Sequence, residues 1–77
     1  MKDDVVRKGM NFGEALKVLK NRGLVCRLGW NGKGMFLGLR EPGRLTDMDL
    51  PYIFMSTVDR KLVPWLASQT DLLAEDW

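Results

Sequence analysis

The chain has 77 residues, 45% of them hydrophobic, including three Trp, three Phe and five Met, with a formal net charge of +2 at pH 7. This length fits one domain, which buries only about 60% of its unfolded surface, so the apolar content exceeds what a lone small domain hides and predicts self-association. A single cysteine, Cys26, and no histidine exclude, within one chain, an intrachain disulfide, a thiolate–histidine pair, a Ser-His-Asp triad and a histidine-ligated metal site.

Met1 to Gly9 is charged and aperiodic and is expected to be a flexible leader ahead of a single domain over 10–77, with Met10 as an alternative start. There is no signal-peptide apolar region and no run of about 18 apolar residues, so a soluble, cytoplasmic protein without membrane contact is expected. From Asn11 to Asn21, Phe12, Ala15, Leu16 and Leu19 recur at helical spacing. Asn11 with Glu14 makes a capping-box start, and Gly23 supplies a stop after the basic last turn. Asn11 therefore reads first as a cap and second as a ligand contact. Phe12, on the first turn, is placed either to staple the helix to a sheet or to project toward a ligand.

Leu24 to Leu28 reads as a strand, Gly29-Trp30-Asn31-Gly32-Lys33-Gly34-Met35 as a glycine-spaced turn, and Met35 to Arg40 as a second strand, together a hairpin with a long tip. Arg27 and Arg40 are expected on its solvent face. Glu41 to Pro51, with two prolines and a glycine, is a surface loop. Tyr52 to Thr57 has strong β propensity. Val58 to Lys61 turns it into Leu62 to Trp65, an edge strand because Pro64 cannot donate to a ladder. Ser68 and Asp71 open a short closing helix expected to dock through Leu72, Leu73 and Trp77. The elements compose an α+β domain.

The glycine turn is the chemically richest stretch. Its glycines let backbone N–H groups approach a ligand, an indole offers a stacking face, and an ammonium attracts anions. The plainer reading is a turn anchored by a core tryptophan. Gly32-Lys33-Gly34 lacks the spacing and trailing Ser/Thr of a phosphate loop. Asp71, Glu75 and Asp76 form an acidic cluster, read as a solvated helix surface because no base or metal ligand accompanies it. Binding rather than catalysis is the expectation. Phe12, Trp30 and Trp65 are candidates for stacking, Arg27 and Lys33 for phosphate, and Asn11, Asn31 and Ser68 for base or ribose edges; Trp65 and Trp77 also suit a core. Residues 1–44 carry ten Lys/Arg against four Asp/Glu, and residues 45–77 two against six. Such halves attract each other across a subunit interface or leave a basic pocket beside an acidic rim.

Four blocks, Met10 to Leu16, Gly29 to Met35, Pro51-Tyr52-Ile53 and Val63 to Trp77, stand in an order that resembles the phage and prophage family of Thoeris anti-defence proteins of the second type. The likeness runs from Met10 to Trp77, and the last block is the most distinctive. The resemblance implies a cytoplasmic sponge in the host bacterial cell that sequesters cyclic ADP-ribose isomers (glycocyclic ADP-ribose) made by TIR-domain proteins, without cleaving them. Some relatives also hold cyclic oligonucleotide signals at a separate site, so cyclic dinucleotides are a further partner class. It implies an N-terminal helix packed on a small antiparallel sheet, a homotetramer with ligand pockets between subunits, and no cofactor, metal or catalytic residue. By position, Trp30 corresponds to the tryptophan that stacks on the base, with Asn11 and Phe12 beside it. Asn31, Lys33 and Met35 fall in the same block, and Trp65, Ser68 and Asp71 in the closing one. The leader and the short Glu41 to Pro51 loop depart from the family pattern.

Two other classes remain to be weighed. One is a phage structural or protein-interaction module using a Trp and Met surface. The other is a single-stranded nucleic-acid binder, which the chain fits poorly because it has stacking residues but no basic track.

Overall fold

Residues 8–30, 34–43 and 47–77 are described by the structure, a computed structural model. The helix expected after Asn11 forms as α1 (Phe12–Lys20). Its capping box is complete: Asn11 Oδ1 accepts the Glu14 N–H at 2.8 Å, and Glu14 Oε1 accepts the Asn11 N–H at 3.0 Å, so two otherwise unpaired donors are satisfied reciprocally. Ala15 and Leu19, one turn apart, are fully buried and cluster with Met10, Val25, Leu37 and Trp77.

The stop differs from the expected one. The Gly23 N–H donates to Val18 O at 2.9 Å and the Arg22 N–H to Leu19 O at 3.0 Å, the two bonds of a Schellman ending. Its left-handed position is held by Arg22, at φ 70°, not by Gly23. Gly23 is needed for space, because a Cβ there would lie 2.6 Å from Val18 Cγ1.

The sheet has three antiparallel strands in sequential order, β1 (Phe36–Arg40), β2 (Tyr52–Ser56) and β3 (Leu62–Pro64), with β3 at an edge as Pro64 demands. Leu37 faces Met55 and Leu39 faces Ile53, while Gly38 faces Phe54 and Arg40 faces Tyr52. Because side chains alternate, Leu37, Ile53 and Met55 share the face that packs on the α1 core. On the other face the Phe54 ring lies over Gly38, where a Cβ would meet it at 2.7 Å. Phe36 stands edge-on to that ring, and the Arg40 guanidinium sits 5.3 Å from its centroid.

The expected hairpin between Leu24–Leu28 and Met35–Arg40 does not form. Only Val25 pairs, in an isolated bridge to Leu37, because the Leu28 and Gly29 N–H groups are taken by Asp76 instead of a ladder. The antiparallel pairs of the described sheet are instead β1 with β2 and β2 with β3. Strand ends also move by a residue: Met35 precedes β1, Thr57 leaves β2 to hold the turn through its hydroxyl, and Trp65 adds one ladder bond, to Ile53 O, beyond β3.

The closing helix is α2 (Gln69–Leu73), opened by a Ser68–Asp71 capping box. Of the three residues expected to dock, only Trp77 does, at 3% exposure; Leu72 and Leu73 face solvent. The reason is that Ala74 is already extended, so the chain leaves the helix and turns Trp77 inward. Its backbone then pairs reciprocally with Met10, by N–H···O bonds of 3.0 and 3.1 Å.

Candidate functional site

Trp77 is the hub of an aromatic cluster drawn from four separate stretches. Around it lie Trp30, edge-on with centroids 5.4 Å apart, Phe12 at 5.4 Å and Trp65 at 6.0 Å, while Phe12 and Trp65 are themselves 5.8 Å apart. Phe12 comes from the first turn of α1, Trp65 from the end of β3 and Trp30 from the turn after Val25. All three are half-buried. Trp30 and Trp65 both meet Trp77 edge to face, the two Phe12 pairs are tilted, and each of the three outer rings still has a part open to a stacking partner.

Beside the cluster lies an ion network. Arg27 Nε donates to Asp76 Oδ1 at 2.7 Å and Nη1 to Asp71 Oδ1 at 2.7 Å, with Nη2 at 3.4 Å from Asp76 Oδ2. The expectation that Arg27 lies on a solvent face is overturned: its side chain is 14% exposed, as is that of Asp71. Taking such a cation out of water is tolerable because two carboxylates meet it with charge-assisted bonds. The solvated acidic helix surface is corrected with it. Asp71 and Asp76 both turn to Arg27, and Glu75 shares no helical face with Asp71 because α2 ends at Leu73.

The network reaches the indoles directly. Asp71 Oδ1 also accepts Trp30 Nε1–H at 3.3 Å, and Asp71 O accepts Trp77 Nε1–H at 3.0 Å. Asp76 Oδ2 accepts the Gly29 N–H at 2.8 Å. Burial pushes the Asp71 carboxyl up, but hydrogen bonds from Arg27, Trp30 and Ser68 together outweigh it and leave the group below its ordinary value. Asp76 is lowered chiefly by its hydrogen bond from Arg27, against a smaller opposing effect of burial. The same bonds, that to Asp76 first, raise Arg27. All three groups are ionised at neutral pH, and the trio carries a net charge of −1.

The structure thus brings together Phe12, Arg27, Trp30, Trp65, Ser68 and Asp71. Ser68 is exposed and its Oγ accepts the Asp71 N–H at 3.0 Å; Asn11, also exposed, spends its side-chain oxygen on the α1 cap. Met35 is half-buried before β1 and is not brought into the aromatic cluster of the described residues. Asn31 and Lys33 lie outside the described residues. Sequence reasoning omitted Asp76 and Trp77 from the site. A signal for Asp76 existed in the opposite charge of the chain's two halves, which the Arg27 pairs partly neutralise within the chain. Among the described residues no group of three His, Cys, Asp or Glu side chains is placed to hold a metal ion, and no helix is long and apolar enough to cross a membrane.

Half-exposed rings next to an ion network of net charge −1 make a surface suited to stacking a flat heterocycle. Residues 10–77 match the family model of the Thoeris anti-defense 2-like domain. The chain is also similar to Thoeris anti-defense 2 of Bacillus phage SP01, with 46% identity over 81 residues, covering 88% of this chain and 91% of that protein.

Proposed function

Because this chain belongs to the Thoeris anti-defense 2-like family, whose role is phage anti-defence, we propose that it acts as a sponge inside the infected host cell. It binds cyclic ADP-ribose-type signals, glycocyclic ADP-ribose first among them, and withholds them without cleaving them. The observation that carries this reading is the Trp30 indole, half-buried, braced edge-on by Trp77 and hydrogen-bonded to Asp71. A pre-set indole stacks on a base at little entropic cost, and a cyclised ligand also loses little freedom on binding.

Arg27 acts here by positioning rather than by direct contact with phosphate. Its guanidinium is matched by two carboxylates, so a pyrophosphate beside the trio would meet net negative charge and is better held by cations elsewhere, such as Lys33 or residues of a second subunit. Assembly as a homotetramer with pockets between subunits belongs to the same proposal and is supported by the exposure of Leu24, Leu28, Leu66 and Leu73.

The test is calorimetric titration of the purified chain with glycocyclic ADP-ribose, followed by recovery of the ligand after heat denaturation. Tight binding with intact recovery is expected, and Trp30→Ala should weaken it by the roughly 1–3 kcal/mol that a stacked base contributes. Unchanged affinity in that variant removes Trp30 from the site, and an altered ligand makes the protein an enzyme. Failure to bind turns attention to cyclic dinucleotides and then to a protein-interaction module, which, unlike a sponge, gains no thermal stability from either ligand.

A further inference from the structure

We infer that Asp76 is the positioning residue of the Trp30 turn, fixing its backbone and, through Arg27 and Asp71, the orientation of the indole. The inference rests on the reading that Trp30 receives the ligand. One residue meets three consecutive residues of the turn: its side chain takes Arg27 Nε–H at 2.7 Å and the Gly29 N–H at 2.8 Å, and its backbone oxygen takes the Leu28 N–H at 3.1 Å. The Trp30 N–H then closes the turn on Arg27 O at 3.2 Å. From Arg27 the chain of contacts runs through Nη1 to Asp71 Oδ1, the atom that accepts Trp30 Nε1–H.

Gly29 fits this arrangement. A Cβ there would stand 2.9 Å from Asp76 Oδ2 and 3.2 Å from Arg27 Nη2, so any larger residue would make the carboxylate shift from its present place on the backbone. The Asp76 side chain is 30% exposed and fills no core space, so what it supplies is direction rather than packing. An asparagine in its place keeps the shape but must turn either its oxygen or its amide toward each of two donors, and it loses the charge that holds Arg27.

The experiment compares the full chain with Asp76→Asn and with Thr57→Val, a control in the β2–β3 turn whose hydrogen bonds involve none of these residues. Proton exchange is followed by NMR, without ligand, at the Gly29 amide, at Trp30 Nε1–H and at the Leu37 amide, which pairs with Val25 O in the core. Asp76→Asn should speed exchange at Gly29 and Trp30 about tenfold or more and leave Leu37 unchanged, while Thr57→Val moves neither site group. In calorimetry with glycocyclic ADP-ribose, Asp76→Asn should weaken affinity about tenfold with unchanged stoichiometry; an irreversibly misfolded fraction would lower the number of sites instead, and a reversibly unfolded one large enough to weaken binding tenfold would also speed exchange at Leu37. Unaltered Trp30 exchange, or acceleration at Leu37 equal to that at Trp30, overturns the assignment. If the wild-type chain does not bind glycocyclic ADP-ribose, the sponge reading falls, and the exchange measurements still decide whether Asp76 positions Trp30.

Discussion

Arg22 stands in the left-handed region with a Cβ, a conformation that costs an L-residue about 1 kcal/mol and costs glycine almost nothing. Its ion pair with Glu41, 3.5 Å long and exposed at both ends, offsets little of that. Arg22→Gly is therefore expected to stabilise the chain by about 0.5–1 kcal/mol, read as a raised urea midpoint at unchanged slope; a lowered midpoint would show that the ion pair dominates. Asp71 and Asp76 set the opposite kind of local balance. Their folded values lie below the ordinary carboxylate value of 3.8, so the unfolded chain takes up protons first as acid is added. The stability they contribute is complete above that value and is lost as pH falls through their lowered folded values. Thermal midpoints measured downward from neutral pH should fall on this limb, and Asp71→Asn, less stable at pH 7, should fall less steeply. Parallel limbs in the two proteins would mean that Asp71 does not titrate as the hydrogen bonds dictate.

At the scale of elements, α2 has five residues and cannot persist alone. It survives because its first turn is capped and its Asp71 is anchored across the fold by Arg27. Ser68→Ala removes the cap and should cost about 1 kcal/mol, a fall in thermal midpoint of about 4–8 °C for a domain of this size; a smaller loss would mean that Arg27 alone holds the helix. Both capping boxes were legible in the sequence because their partners lie three residues apart, and so was the edge position of β3, which Pro64 dictates on its own. Leu24 to Leu28 misled because its residues have strand propensity while their donors are claimed by Asp76, some 47 positions away. Competition of that kind leaves no local trace. The aromatic candidates Phe12, Trp30 and Trp65 were recognisable from side-chain type. Of the carboxylates that organise them, Asp71 was singled out for the site only through the family resemblance and Asp76 not at all, because an acidic run beside a helix looks solvated until its distant partner is known.

Across the whole molecule, apolar side chain remains on the surface after the core has formed: Leu24, Leu28, Leu66 and Leu73 are all exposed, Leu73 at 77%. A surface of this kind is expected to be covered by further copies of the chain. Light scattering should accordingly return about four times the 8.8 kDa chain mass, with a monomer removing the tetramer from the proposal. The reciprocal pairing of Met10 with Trp77 acts at the same scale. It encloses nearly the entire domain in one loop, so the entropy of closing that loop must be spent before the Trp77 hub is buried, and the cost grows with the logarithm of loop length. Trp77 is thus expected to dock late. Were its segment to leave, Asp71 and Asp76 would leave with it, and the Trp30 turn would lose its brace in the same step. On the sponge proposal, the residence time of a captured signal is therefore expected to follow the lifetime of that seam.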